Sequence, residues 1–173
     1  MVDARSKLLE RIVDEVGTNG LADRSLRELA TAVGSSHRML IFHFGSRAGL
    51  ISAVVEAVES AQRDLLTELA GQVSSPSELV LALWERVSAP DLRSFVRLFF
   101  ECVALAGEHD LTDSWIETAQ TVADELGVVV SETELRIGIA VSRGLLIDVL
   151  TTGDAGPATR AIERFVEIWT PDG

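Results

Sequence analysis

The sequence is poor in residues that would staple or break a chain. It holds one cysteine, Cys102, so no intrachain disulfide can form and a reducing interior suits it. Prolines are few, and Pro76, Pro90, Pro157 and Pro171 sit where helices can begin or end. No apolar run approaches the roughly 20 residues that span a bilayer. Met1 to Leu9 lacks the apolar core of a signal peptide. No membrane is expected, and the cytoplasm is the expected location. Catalytic patterns are missing too. There is no Ser/His/Asp order, phosphate loop or metal-ligand cluster; His37, His43 and His109 lack zinc spacing, and Cys102 has no evident base. No enzyme activity, metal or cofactor is therefore expected.

Positive charge is also scarce, with 15 Lys and Arg against 27 Asp and Glu, a net of −12. Taken whole, that balance speaks against a polyanionic partner. Its distribution along the chain says otherwise. Residues 1–50 carry seven basic residues (Arg5, Lys7, Arg11, Arg24, Arg27, Arg38 and Arg47) against six acids, a net of +1, which leaves −13 for the rest. Phosphate binding needs local positive charge rather than a basic whole, and an acidic body repels a duplex from every other face. The asymmetry permits nucleic-acid binding without demonstrating it.

What the chain does have is material for helices and a core. Hydrophobic residues make up 47% of it. Three capping boxes mark helix starts, Ser25/Glu28, Ser75/Glu78 and Ser131/Glu134, in which the serine hydroxyl takes an orphan backbone N–H and the glutamate reaches back to the cap. Apolar spacing predicts helices over about 3–16 (stopped by Gly17 and Gly20), 25–33, 37–44 and 46–69, then 76–88, 91–106, 112–126, 131–151 and 157–169. Val128 to Val130 resembles a strand without a partner and reads as a buried connector. The expected fold is all-α, with about nine helices.

The segment from Ser25 to Phe44 concentrates the functional signal. Two short helices meet at Gly34, where a residue without Cβ can take the left-handed conformation. Ala30 allows a close crossing, and Leu29, Val33 and Leu40 supply its apolar contact. This is a helix-turn-helix, whose second helix can enter the major groove; Ser36 caps that helix, so His37, Arg38 and Met39 point outward.

Gly20-Leu21, Ser25-Leu26-x-x-Leu29-Ala30, Val33-Gly34-Ser35-Ser36 and Leu40-x-x-His43-Phe44-x-Ser46-Arg47-x-x-Leu50 together resemble the DNA-binding domain of the tetracycline-repressor (TetR) family. The resemblance covers about a quarter of the chain and its motifs are dense. It implies a DNA-binding domain over 3–48 and a helical ligand-sensing and dimerisation domain over 49–173. The implied function is that of a homodimeric transcriptional regulator, a repressor, on a palindromic double-stranded DNA operator, released by a small, largely apolar effector. Carried over position by position, it makes Ser25 a phosphate contact, Ser35, Ser36 and His37 candidate groove contacts, and His43 and Arg47 backbone contacts. Two departures stand out. Arg38 lies where the family usually has Gly, and Ile41 where it usually has a phosphate-contacting Tyr. Arg38 can clasp a guanine or a phosphate, so the operator should differ from that of typical members.

In the remainder, the helix from Glu134 to Leu150 is apolar nearly all round, and a helix of that kind must be covered on every side. Ile139, Leu146 and Leu150, with Ile162, Phe165 and Trp169 of the last helix, form the expected dimer interface, a four-helix arrangement in the resemblance. Trp84, Phe95, Phe99, Phe100 and Trp115 either line an apolar ligand pocket or fill the core. Arg143 either pairs with a carboxylate such as Glu101 or meets an anionic group on the ligand; the internal pair is favoured, because an unpaired buried arginine is costly. Cys102 reads as a small core residue rather than a redox sensor. A competing reading is a helical interaction or ligand-binding module that has abandoned DNA, on the ground of Ile41 and the acidic body.

Overall fold

The computed structural model describes residues 4–21, 24–105 and 112–169. Among them are nine α-helices and no strand: α1 (Ala4–Asn19), α2 (Leu26–Ala32), α3 (His37–Phe44), α4 (Arg47–Ala70), α5 (Pro76–Ser88), α6 (Arg93–Leu105), α7 (Asp113–Glu125), α8 (Glu132–Thr152) and α9 (Gly156–Trp169), with a 3-10 turn at Pro90–Leu92 before α6. The fold is all-α, as expected. Asp3, Ala106 and His109, each part of an expectation above, lie outside the described residues.

Local chemistry explains most boundaries. Ser25 and Ser131 form complete capping boxes with Glu28 and Glu134. Ser75 caps the Glu78 N–H, but the Glu78 carboxylate accepts from Ser74 instead of closing the box on Ser75. Ser46 starts α4 by accepting the Gly49 N–H at 3.0 Å. Gly34 ends α2 with φ +61°, and the Ser35 N–H donates to the Ala30 carbonyl across the turn at 2.8 Å, the long closing bond of a Schellman-type end.

Two local expectations fail. Gly17 does not stop α1, which continues to Asn19 and ends at Gly20, φ +79°. A mid-helix glycine costs only about 1 kcal/mol, and burial of Val16, 1% exposed, outweighs that. Nor is the Val128–Val130 connector buried throughout: Val130 is, but Val129 is 94% exposed.

The chain divides into two compact units, Met1–Ala61 with Ser94–His109 and Gln62–Arg93 with Asp110–Gly173. In the first, α1 buries Leu8, Ile12 and Val16, α2 buries Leu29 and Ala30, and α3 buries Leu40 and Phe44. Leu50, Val54 and Val58, at helical spacing along α4, have no exposure, and α6 adds Leu98, Phe99 and Cys102. Each leucine so enclosed contributes about 1.5–3 kcal/mol through burial. Inside the second unit, one cluster gathers Leu66, Ala70, Leu79 and Val122, and another Ile116, Ala123, Val130 and Leu135. Its polar ties are directional. The indole N–H of Trp84 donates to the Thr159 hydroxyl at 2.9 Å, binding α5 to α9. Arg136 spans Glu132 and Asp113. No single helix among the described residues is long and apolar enough to cross a membrane.

Candidate nucleic-acid interface

The helix-turn-helix is held from behind by apolar contacts and left open in front. Leu29, Ala30, Val33, Leu40 and Phe44 are buried, whereas Ser36, His37, Arg38, Met39, Ile41 and Phe42 are exposed. Ser36 takes an extended conformation and accepts the Met39 N–H at 3.2 Å, leaving the first turn of α3 facing solvent. Between Glu28 and Glu56 the sequence has no carboxylate at all, in a chain that carries 27. The only acid on α2, Glu28, is taken up locally. Both the hydroxyl and the N–H of Ser25 donate to it, which holds its carboxyl below the usual range. The segment around α3 thus brings no carboxylate of its own to a polyanion.

The predicted contact residues fall into two groups. Ser25, Ser36, His37 and Arg38 are exposed and Ser35 half-exposed, all around α2 and α3. Ser25 and Ser36 also serve as caps. His43 is half-buried, with its ring edge-on to Phe42 at 5.0 Å and tilted against Phe44 at 6.2 Å. Arg47 turns back into its own unit. Its Nε donates to the Arg24 carbonyl at 3.1 Å and Nη2 to that of Leu21 at 3.5 Å. The N–H of the same Leu21 donates to Glu101 at 2.9 Å, so the turn ahead of α2 is gripped from α4 and from α6. The guanidinium of Arg5 lies over the Phe44 ring, 5.3 Å from its centre, attaching α1 to the end of α3. Sequence reasoning passes over Phe42. Its position opposite Leu40 and Phe44 on a helical wheel is the available signal, and it is 76% exposed.

The other predicted residues are distributed between the units. Phe95, Phe99 and Phe100 belong to the first, where Phe99 is buried and lies edge-on to Phe100 at 5.3 Å. Trp84, Trp115 and Arg143 belong to the second. Trp84 is buried, and Trp115 packs on the cluster of Leu66, Ala70, Leu79 and Val122. Arg143 donates Nη1 to the Thr112 hydroxyl at 3.0 Å, and Glu101, named above as one example of a carboxylate for it, accepts from Leu21. An open cavity of about 360 Å3 in the second unit is lined by Thr67, Glu117, Thr118, Thr121, Val122 and Glu125, and none of the predicted pocket residues lines it.

Within one chain, several of the expected interface residues are enclosed. Ile162 has no exposure and Leu146 only 9%, because the apolar stripe of α9 is consumed by its own unit. Ile139 and Trp169 pack on the Ile116 cluster. Phe165 stacks on Trp169 at 5.7 Å, and Leu150 is half-buried. The large apolar side chains that α8 and α9 leave exposed are Ile137, Ile147 and Ile168, at 48%, 49% and 67%. Cys102 is 1% exposed, and burial, followed by the charges of Glu101 and Glu59, pushes its thiol up to about 12. Among the described residues no group of His, Cys, Asp or Glu could hold a metal ion.

No family model matches the sequence, and no curated protein does. Solved structures do match. A TetR-family transcriptional regulator from Pectobacterium atrosepticum superposes with a TM-score of 0.74 at 19% identity, covering 96% of this chain and 91% of that one. The multidrug binding protein EbrR, complexed with imidazole, gives 0.71 at 21%, covering 98% and 90%. SmeT, the repressor of the Stenotrophomonas maltophilia multidrug efflux pump SmeDEF, gives 0.65 at 16%, covering 96% and 89%. Over nearly its whole length the chain therefore has the fold of TetR-family regulators.

Proposed function

We propose that this chain is a cytoplasmic DNA-binding transcriptional regulator, a repressor, that acts as a homodimer on a palindromic operator and leaves it when a small apolar molecule binds. One observation carries the reading. The outward face of α3 presents His37, Arg38 and Phe42 within a stretch free of carboxylates, on a fold whose solved examples are regulators. Ser35 and Ser36, just ahead of that face, are assigned to phosphates and groove edges, and Ser25 to a phosphate for which its hydroxyl would have to release Glu28. His43 positions its neighbours, and Arg47 braces the turn before α2. Residues 3–48 are the reading domain, and the residues from 49 on carry dimerisation and sensing.

The second protomer is assigned to the outer sides of α8 and α9, where Ile137, Ile147 and Ile168 are exposed, since apolar side chains left open mark association surfaces. Two reading helices would then stand about 34 Å apart, one turn of DNA. Effector binding that favours a different spacing lowers operator affinity by shifting the population. That the similar proteins EbrR and SmeT are named for multidrug binding and efflux control supports a small-molecule effector. Regulation of this kind requires no enzymatic step.

Selection of bound duplexes from a random pool tests the reading, and a palindrome enriched by the wild-type chain is the expected result. Arg38→Ala should weaken binding by about 1–3 kcal/mol and relax preference at one base pair per half-site. Failure to enrich any sequence, with no salt-dependent binding, would leave the helical interaction module as the better account.

A further inference from the structure

The helix α3 has two buried side chains, Leu40 and Phe44, four residues apart. At 3.6 residues per turn the direction opposite them belongs to Phe42, two positions from each. That ring is 76% exposed, and Met39 and Ile41 flank it at 41% and 38%. A bare aromatic at the outermost point of a short helix loses burial free energy in the isolated chain, so it points to a surface that covers it. The His43 ring stands edge-on to it at 5.0 Å and 77°.

The helix His37–Phe44 has no Asn or Gln, which clasp adenine, and no acid to accept from the amino group of cytosine. Its hydrogen-bonding side chains are His37, Arg38 and His43. Arg38 sits one turn before Phe42 on the same line, exposed and with guanine or phosphate as its natural partner. For an apolar side chain on such a helix, the feature of an A·T pair to read is the C5-methyl of thymine, the single apolar group displayed in the major groove. The cationic, carboxylate-free setting suits a polyanion that also offers an apolar spot.

We propose that Phe42 is a specificity-determining residue that packs its ring on thymine methyl groups in the major groove, beside a base or phosphate held by Arg38. The assignment rests on the DNA-binding reading above. The consequence for the operator is definite: each half-site contains thymine within one turn of the position that depends on Arg38, and the methyl itself carries the preference.

The test uses the operator selected from the random pool, with its thymines replaced one position at a time by deoxyuridine, which keeps the pairing and removes only the methyl. Wild-type affinity should fall about fourfold at one or two thymines per half-site, the loss expected for one buried methyl, and about sixteenfold when both half-sites are changed. Phe42→Ala should bind the thymine operator more weakly and be indifferent to deoxyuridine at those positions, whereas Phe42→Leu should keep part of the discrimination. Because Phe42 lies outside the core, thermal unfolding of Phe42→Ala should match wild type. A wild-type chain indifferent to every methyl, or a Phe42→Ala chain that keeps full sensitivity, overturns the assignment while leaving DNA binding intact. A Phe42→Ala change in sedimentation, with methyl sensitivity retained, would give the ring to a second protein copy and also overturn it. Absence of any enriched operator would instead remove the reading on which it rests.

Discussion

The grip on Leu21 yields the most exacting prediction. The Leu21 N–H is buried with its residue, 1% exposed, and donates to the Glu101 carboxylate at 2.9 Å. Replacing Glu101 by Leu removes the acceptor and leaves that N–H without one in an apolar setting. A hydrogen bond to a charged group contributes about 1.5–3 kcal/mol, and orphaning a buried donor costs about 1–3 kcal/mol. A loss near 2 kcal/mol is therefore expected, which for a chain of this length lowers Tm by about 4–8 °C. Glu101→Gln keeps a carbonyl oxygen in place and loses only the charge, so its cost should stay below about 1 kcal/mol. Thermal unfolding followed by circular dichroism reads the difference, and hydrogen exchange locates it, with the Leu21 amide losing protection in the Leu variant. Equal Tm shifts for the two variants, or unchanged exchange at Leu21, would refute the reasoning.

Other predictions follow from close contacts and buried groups. A Cβ on Gly49 would fall on the carbonyl oxygen of Phe44, and since backbone cannot swing aside, Gly49→Ala should destabilise by about 1–3 kcal/mol and weaken DNA binding through α3, measurable by denaturant titration and gel shift. Ser131→Ala removes the cap of α8 and should cost about 1 kcal/mol, read in the same titration. The Ser131 hydroxyl and N–H hold Glu134 below its ordinary value of 4.5; a lowered carboxyl stabilises the fold above that pH and ceases to do so as pH falls through its folded value, so the wild-type advantage over Ser131→Ala should shrink under acid. The Cys102 thiol moves the other way, from 9.0 to about 12. The neutral form is favoured by the fold, so its contribution is complete below pH 9 and is lost as pH rises from there towards 12, and iodoacetamide should modify Cys102 only on unfolding.

The parts of the fold governed by local chemistry are readable from the sequence. Ser25, Ser131 and Gly34 act on groups within a few residues, and the elements they bound appear where expected. What escapes depends on groups distant in sequence. Gly17 stays helical because α1 buries the residues around it. Arg47 satisfies the carbonyls of Leu21 and Arg24, a use that no pattern near position 47 reveals. Ile162 reads as interface from its stripe alone, yet α5 and α8, both packed on α9, claim it first. Phe42 is missed for a different reason: the wheel sets it opposite Leu40 and Phe44, but only its exposure in the fold separates it from the apolar residues around it.

The enclosure of Cys102 has a practical consequence. A chain with one thiol, kept protonated and out of reach, is a ready background for site-directed labelling: an added cysteine at an exposed site such as Ala32 of α2 would take a maleimide dye or spin label alone. In the proposed homodimer, the distance between two such labels would give the separation of the reading heads directly, with and without a candidate effector.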